Sequence, residues 1–175
     1  MVFGDSLSAA YGISRSAGWV SLMQQSLQQS HPQYQIVNVS ISGETANGGV
    51  RRINKAVRDH QPGIVILELG ANDALRGRPV ADIHADLSKL ILDIKKSGAQ
   101  VLLAGMQLPP NYGISYTKQF KDMYPRLAKK FKILLVPFLL EGVTPEQFQG
   151  DNLHPTAEAQ ARILQNVLPL LQPLL

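Results

Sequence analysis

Cysteine is absent from these 175 residues, and with it go disulfide bonds, thiolate nucleophiles and thiolate metal sites. That absence is compatible with an oxidising or a reducing compartment. No apolar run approaches the roughly eighteen residues a membrane-spanning helix needs, and no basic-then-apolar leader precedes the first motif. There is also no block of like charge. Charged residues make up 17% of the chain, and although the net charge is +4, the basic pairs Arg51-Arg52, Lys95-Lys96 and Lys129-Lys130 are scattered. They read as solvated helix ends and faces, which argues against a nucleic-acid partner. The chain has no Gly-x-Ser-x-Gly elbow, no P-loop and no Gly-x-Gly-x-x-Gly turn. Its histidines, His31, His60, His84 and His154, lack metal-ligand spacing. These exclusions point to chemistry without a cofactor or a metal.

What is present is globular. Hydrophobic residues are 45% of the chain, and a chain of this length buries roughly two thirds of its unfolded surface on folding. Strand-like runs at Val2-Phe3, 34–39, 63–69, 101–105 and 133–136 alternate with helical apolar stripes. The stripes are Trp19 to Leu27, Val50 to Val57, Val80 to Ile94, Tyr116 to Leu127 and Ile163 to Leu171, with an interruption or kink expected at Pro125 and erosion at Pro169 and Pro173. Thr156 stands where it can cap the last helix. Neither internal repeats nor a Pro/Gly/Ser-rich linker divides the chain, so a single α/β domain over 1–175 is expected. It is a flavodoxin-like three-layer α/β/α sandwich around a five-stranded parallel sheet, because parallel neighbours require helical crossovers.

Sites in such sheets lie beyond the carboxyl ends of the strands. Three chemistry-bearing turns fall there: Gly4-Asp5-Ser6-Leu7-Ser8, Ser42-Gly43-Glu44-Thr45 and Gly70-Ala71-Asn72-Asp73. Taken singly, each has an ordinary structural explanation, since Ser and Asp cap helices, glycine turns the chain and Asn-Asp makes an Asx turn. A hydroxyl becomes a nucleophile when a base takes its proton and an acid fixes the base's tautomer. Asp151-Asn152-Leu153-His154-Pro155 offers both groups three residues apart. His84 is a rival base, but Asp82 and Asp86 lie two residues to either side of it, on other faces of the same helix.

These four blocks, in this order, resemble the SGNH (GDSL-type) hydrolases, and Leu108-Pro109-Pro110-Asn111-Tyr112-Gly113 resembles in particular their bacterial thioesterase I, lysophospholipase L1 and arylesterase branch. The resemblance spans essentially the whole chain. It implies Ser6 as nucleophile, Asp151 and His154 as its triad partners, and Gly43 and Asn72 with the Ser6 backbone N–H as oxyanion donors. The substrate it implies is a small ester or thioester of an acyl chain or aryl group, with contact to a membrane at most peripheral. The acyl pocket is expected along Leu75 to Val80 and Met106 to Tyr112, with Leu75, Met106, Leu108, Pro109, Pro110 and Tyr112 contacting substrate. The branch also implies a periplasmic or secreted protein, and with only Met1 to Phe3 before Gly4 the chain reads as a trimmed or mature form. Two other functions use the same architecture: an acetyl esterase acting on carbohydrate, and a non-catalytic flavodoxin-like binding module.

Overall fold

Ile64, Val65, Ile66 and Leu67 carry no polar break, so the strand they form must be covered on both faces. The computed structural model, which describes residues 1–175, places them in β2 (Ile64–Glu68), where all five residues are buried. β2 pairs in parallel with β1 (Val2–Gly4) on one side and β3 (Gln100–Ala104) on the other, and β3 pairs with β4 (Leu134–Val136). The order is β1-β2-β3-β4. Two helices, α1 (Trp19–Ser30) and α6 (Gln160–Leu171), pack on each other; α2 (Ala46–His60), α4 (Val80–Lys96) and α5 (Ile114–Phe131) form a second row. One apolar core joins both layers to the sheet, with Trp19, Phe3, Phe120 and Tyr124 among its fully buried side chains. No helix is long and apolar enough to cross a membrane.

The sheet has four strands where the sequence suggests five. Residues 34–39 do lie beside β1: the Val2 N–H donates to the Val37 carbonyl at 2.8 Å, and the Val39 N–H donates to the Val2 carbonyl at 3.0 Å. Only one bridge forms, between Val2 and Asn38. The Ile41 N–H also donates to the Gly4 carbonyl at 3.0 Å, but the Gly4 N–H donates to Ser40 Oγ at 3.1 Å and the Val39 carbonyl accepts from Arg52, so the ladder does not extend, and the outer edge of this segment has no partner strand. Asn38 instead turns its side chain to local bonds, donating to the Ser8 carbonyl and accepting from the Ser40 N–H.

Three local expectations also give way. α5 runs through Pro125 without interruption and α6 through Pro169, the latter ending at Leu171 ahead of Pro173. Both prolines inside the helices are exposed, so water can serve the carbonyls whose helical donors they remove. Thr156 occupies the capping position of a short 3₁₀ turn leading into α6, but its side chain caps nothing and its buried Oγ1 has no partner. Arg52 is not a solvated helix charge. Its guanidinium lies 4.0 Å from the centroid of the Phe3 ring, donates to the Val39 carbonyl at 2.8 Å and pairs with Glu44 at 2.5 Å. It thereby ties α2 to the edge segment and to the loop after it.

Two turns place the strand ends. After β2 the chain reverses at Gly70, whose φ of +113° suits glycine, and a Cβ there would meet the Tyr124 hydroxyl oxygen at 2.8 Å. The short helix α3 (Ala71–Leu75) follows directly and carries Asn72. At the end of β1 the register sets Gly4 beside Glu68. Glu68 Oε2 accepts from the Asp5 N–H at 3.1 Å and from the Ser8 hydroxyl at 2.8 Å, while its Oε1 is buried without a partner.

Asp5 and Glu68 are thus two carboxyl groups buried side by side, 1% and 0% exposed. Burial raises the pKa of each, that of Asp5 to about 6, and for Glu68 the neighbouring Asp5 charge adds to the rise. In the unfolded chain both groups release their protons near pH 4, whereas the folded protein holds them longer. Their contribution to stability is therefore full at low pH and is lost as pH rises through about 6 and beyond. Glu68→Gln keeps an acceptor for Asp5 and Ser8 and removes one ionisation. Thermal melts should show the variant gaining on the wild type between pH 5 and pH 8; a difference that is constant over that range would mean that Glu68 is already ionised in the folded protein at pH 5, as it is in the unfolded chain.

Candidate active site

Ser6 stands two residues past β1, in a turn closed by its own neighbours. The Leu7 N–H donates to Asp5 Oδ1 at 3.1 Å, the Ala9 N–H to the Asp5 carbonyl at 2.9 Å and the Tyr11 N–H to the Ser6 carbonyl at 3.1 Å. The serine is 8% exposed. Its Oγ lies 2.8 Å from His154 Nε2, and His154 Nδ1 lies 2.6 Å from Asp151 Oδ2. A carboxylate can only accept, so Nδ1 carries the imidazole proton and Nε2 is left to accept from the Ser6 hydroxyl. Asp151 Oδ1 accepts the backbone N–H groups of Leu153 and His154 at 2.9 and 3.0 Å. Those bonds, first the backbone bond to His154 and then the imidazole, hold its pKa down at about 2, so it remains an anion throughout the neutral range.

The loop carrying His154 is irregular but fastened. Phe148 and Pro155 form an antiparallel bridge, the Gln149 N–H donates to the His154 carbonyl at 2.8 Å, and Asn152 takes the left-handed φ of +55° that lets the chain double back between acid and base. Unlike the nucleophile, this end of the relay is open to solvent: the Asp151 side chain is 39% exposed and that of His154 20%.

Gly43, at φ +78°, lies in the exposed loop before α2, and neither its N–H nor that of Ser6 is engaged by a protein acceptor. Asn72 is differently placed. Its Nδ2 donates to Asp5 Oδ2 at 2.9 Å and to the Glu44 carbonyl at 3.0 Å, which uses both amide hydrogens. The bond to Asp5 fixes the amide's orientation; the bond to Glu44 is one that an oxyanion would have to share or displace.

Beside Ser6, Asn72 and His154 opens a cavity of about 330 Å³. Leu75, Met106, Leu108 and Pro109 line it, whereas Pro110 and Tyr112 do not. Those two belong to a 3₁₀ turn, and Tyr112 reaches the site only indirectly, by donating its hydroxyl to the Leu75 carbonyl at 3.2 Å. The far wall comes from residues not anticipated from sequence: Leu7, Phe138, Leu140, Phe148 and Leu153. The signal for most of them was legible, since Phe138, Leu139, Leu140 and Phe148 are bulky apolar residues in a connection that would otherwise be polar. His84 lies away from this cavity on α4, and burial with the nearby Lys130 and Arg126 charges holds its pKa down. No three metal-ligating side chains converge anywhere in the chain.

Comparison with known proteins places this arrangement. The sequence profile of the GDSL-like lipase/acylhydrolase family matches residues 2–162. The chain is 45% identical to "Esterase TesA" of Pseudomonas aeruginosa, over 100% of this chain and 88% of that protein. It is 43% identical to an arylesterase of Vibrio mimicus, over 95% of this chain and 84% of the relative. With "Thioesterase 1/protease 1/lysophospholipase L1" of Escherichia coli K12 it shares 40% identity over 99% of this chain and 83% of the relative. A crystal structure of TesA superposes with a TM-score of 0.97 at 45% identity, covering 99% of this chain and 98% of that one. This chain belongs to the GDSL-like lipase/acylhydrolase family, with the SGNH hydrolase fold.

Proposed function

We propose that the protein is a serine hydrolase of carboxylic esters and thioesters, working through an acyl-enzyme on Ser6. The observation that carries this is the unbroken relay from Ser6 Oγ to His154 Nε2 at 2.8 Å and from His154 Nδ1 to Asp151 at 2.6 Å. His154 takes the hydroxyl proton as Oγ bonds to the acyl carbon, and Asp151 stabilises the imidazolium that results. The negative charge arising on the former carbonyl oxygen is met by the N–H groups of Ser6 and Gly43 and by the Asn72 amide. Collapse breaks the bond to the leaving oxygen or sulfur, which receives the proton from Nε2. Water, deprotonated by the same nitrogen, then releases the acid and restores Ser6.

Relatives bearing the names esterase, arylesterase and thioesterase 1 support esters and thioesters as the substrate class. The cavity supports an apolar acyl or aryl group: nine of its sixteen lining residues are hydrophobic, and about 330 Å³ lies at the small end of ligand pockets. An acetyl esterase for carbohydrate would be expected to offer hydroxyl-binding side chains where this wall is apolar. A binding module would have no use for a base held against a hydroxyl.

Ser6→Ala should fold as the wild type and lose several orders of magnitude in hydrolysis of p-nitrophenyl esters. It should also fail to take a fluorophosphonate label; a purified sample keeping more than a few per cent of kcat would rule out Ser6 as nucleophile. Asp151→Asn removes the anion while keeping an acceptor for the backbone bonds, and should cost at least about a hundredfold in kcat. Unchanged kcat would detach Asp151 from the relay.

Asn72 discriminates between chemistry and turn-making. Asn72→Ala should lower kcat by about a hundredfold to a thousandfold with a smaller change in KM. Asn72→Gly should be equally impaired. Asn72→Asp should be worse, because it places a negative charge against both the oxyanion and Asp5. Near-wild-type kcat in Asn72→Gly would take the side chain out of the mechanism.

A further inference from the structure

The relay has a weak side. A general base must hold its orientation through proton transfers in both directions, yet the carboxylate that anchors His154 is 39% exposed and open to competing water. Of the ring's two hydrogen bonds, the one to Ser6 is given up once the hydroxyl proton has moved and Oγ has bonded to carbon, which leaves the bond to this exposed carboxylate to hold the imidazole. Something else has to hold the ring.

Tyr11 is placed to do so. Its ring centroid is 4.4 Å from that of His154, with the planes inclined at 40°. It is 50% exposed, which is unusual for an aromatic ring with no partner in the core. It is also absent from the residues that line the acyl cavity. Its backbone is fastened at both ends of the relay. The Tyr11 N–H donates to the Ser6 carbonyl at 3.1 Å, and the Tyr11 carbonyl accepts from Gln149 Nε2 at 2.9 Å. The same Gln149 Nε2 donates to the Pro155 carbonyl, and the Gln149 N–H donates to the His154 carbonyl. Gln149 is a clasp between the nucleophile turn and the base loop.

The backbone that presents Tyr11 is itself costly. Ala10, with a Cβ, sits at φ +61°, and Gly12 follows at φ +73°. A side chain at Gly12 would put its Cβ 2.0 Å from Gln149 Oε1, so the clasp requires glycine there. Left-handed backbone at a residue other than glycine persists where the surroundings over-determine it, and such residues cluster at functional sites. Here the strained turn delivers one thing to the site, an aromatic ring against the imidazole.

We propose that Tyr11 is a positioning residue for His154: its ring face forms the wall that the exposed Asp151 cannot supply, restricting the imidazole to the orientation in which Nε2 faces Ser6 and keeping water off that side of the ring. The phenol hydroxyl has no hydrogen-bond partner in the protein, so the ring carries the role. The proposal rests on the Ser6 and His154 assignment above.

The test compares Tyr11→Ala, Tyr11→Leu and Tyr11→Phe with the wild type, using a short p-nitrophenyl ester and the rate of labelling by a fluorophosphonate. Tyr11→Ala should lose about tenfold to a hundredfold in kcat and in labelling rate, the scale that misplacement of a catalytic group produces. KM should stay within about twofold, since the acyl cavity is untouched. Tyr11→Phe should restore both rates. Tyr11→Leu, which fills the space without a flat face and serves if the alanine variant does not fold, should remain impaired. In proton NMR the low-field His154 Nδ1–H signal of the wild type should broaden by exchange in Tyr11→Ala and return in Tyr11→Phe.

Undiminished kcat and labelling in folded Tyr11→Ala or Tyr11→Leu would overturn the role, as would a Tyr11→Phe variant no better than Tyr11→Leu, which would assign the effect to the hydroxyl. Wild-type protein that takes no label at Ser6 would instead overturn the underlying assignment. The two failures are therefore distinguishable.

Discussion

The pairing of Gly4 with Glu68 across β1 and β2 is the contact on which the site depends. Parallel register brings the carboxyl ends of two neighbouring strands level, so that the first residue beyond one can bond to the last residue of the other. Asp5 uses its N–H for that bond and its side chain for Asn72. The nucleophile turn, the amide on α3 and the sheet are thereby joined through two buried carboxyl groups. The arrangement puts an electrostatic cost in the middle of the core, because burial opposes ionising either group and the Asp5 charge further opposes ionising Glu68. What the fold gains is that Ser6 and Asn72 cannot shift independently.

The two ends of the relay are built differently. Ser6 is buried just past the end of β1; His154 arrives on an irregular loop, late in the chain, held by backbone bonds and a bridge of one residue pair. Rigidity on the one side and fastening on the other suit the work each does. On the proposed mechanism the nucleophile stays where the acyl carbon must come, whereas the base passes a proton in one direction and then the other.

Much of this was legible in the sequence, because parallel-sheet architecture turns chain order into position. An unbroken apolar run such as 64–67 reads as a covered strand, and a Gly-Ala-Asn-Asp turn shortly after it then lies at the sheet's carboxyl edge. The stripes of α2, α4 and α6 follow helical period and bury most of the residues expected of them, with Val50, Val80, Leu164 and Leu168 only partly covered. Legibility failed where tertiary context decides. Residues 34–39 have strand composition, but the Gly4 N–H that would continue their ladder with β1 donates to the Ser40 side chain instead. Arg52 looks like any helix arginine until Phe3, Val39 and Glu44 are brought around it. The far wall of the cavity was missed because its residues lie in a connection without period, where apolar composition was the sole clue. Tyr11 carried no signal at all, since a ring's contact with a histidine more than a hundred residues away has no local trace.

The bond from Asn72 to the Glu44 carbonyl gives the site a selectivity of its own. A neutral substrate carbonyl offers this amide nothing that Glu44 does not already supply, and so exchanging one for the other contributes little to substrate binding. An oxyanion is a different acceptor, since hydrogen bonds to a full negative charge are roughly twice as strong as those between neutral groups. The exchange becomes favourable only as the charge develops. On the proposed mechanism, by keeping its own carbonyl in that place, the protein withholds one donor from the ground state and releases it to the transition state, which is the condition for binding energy to appear as rate.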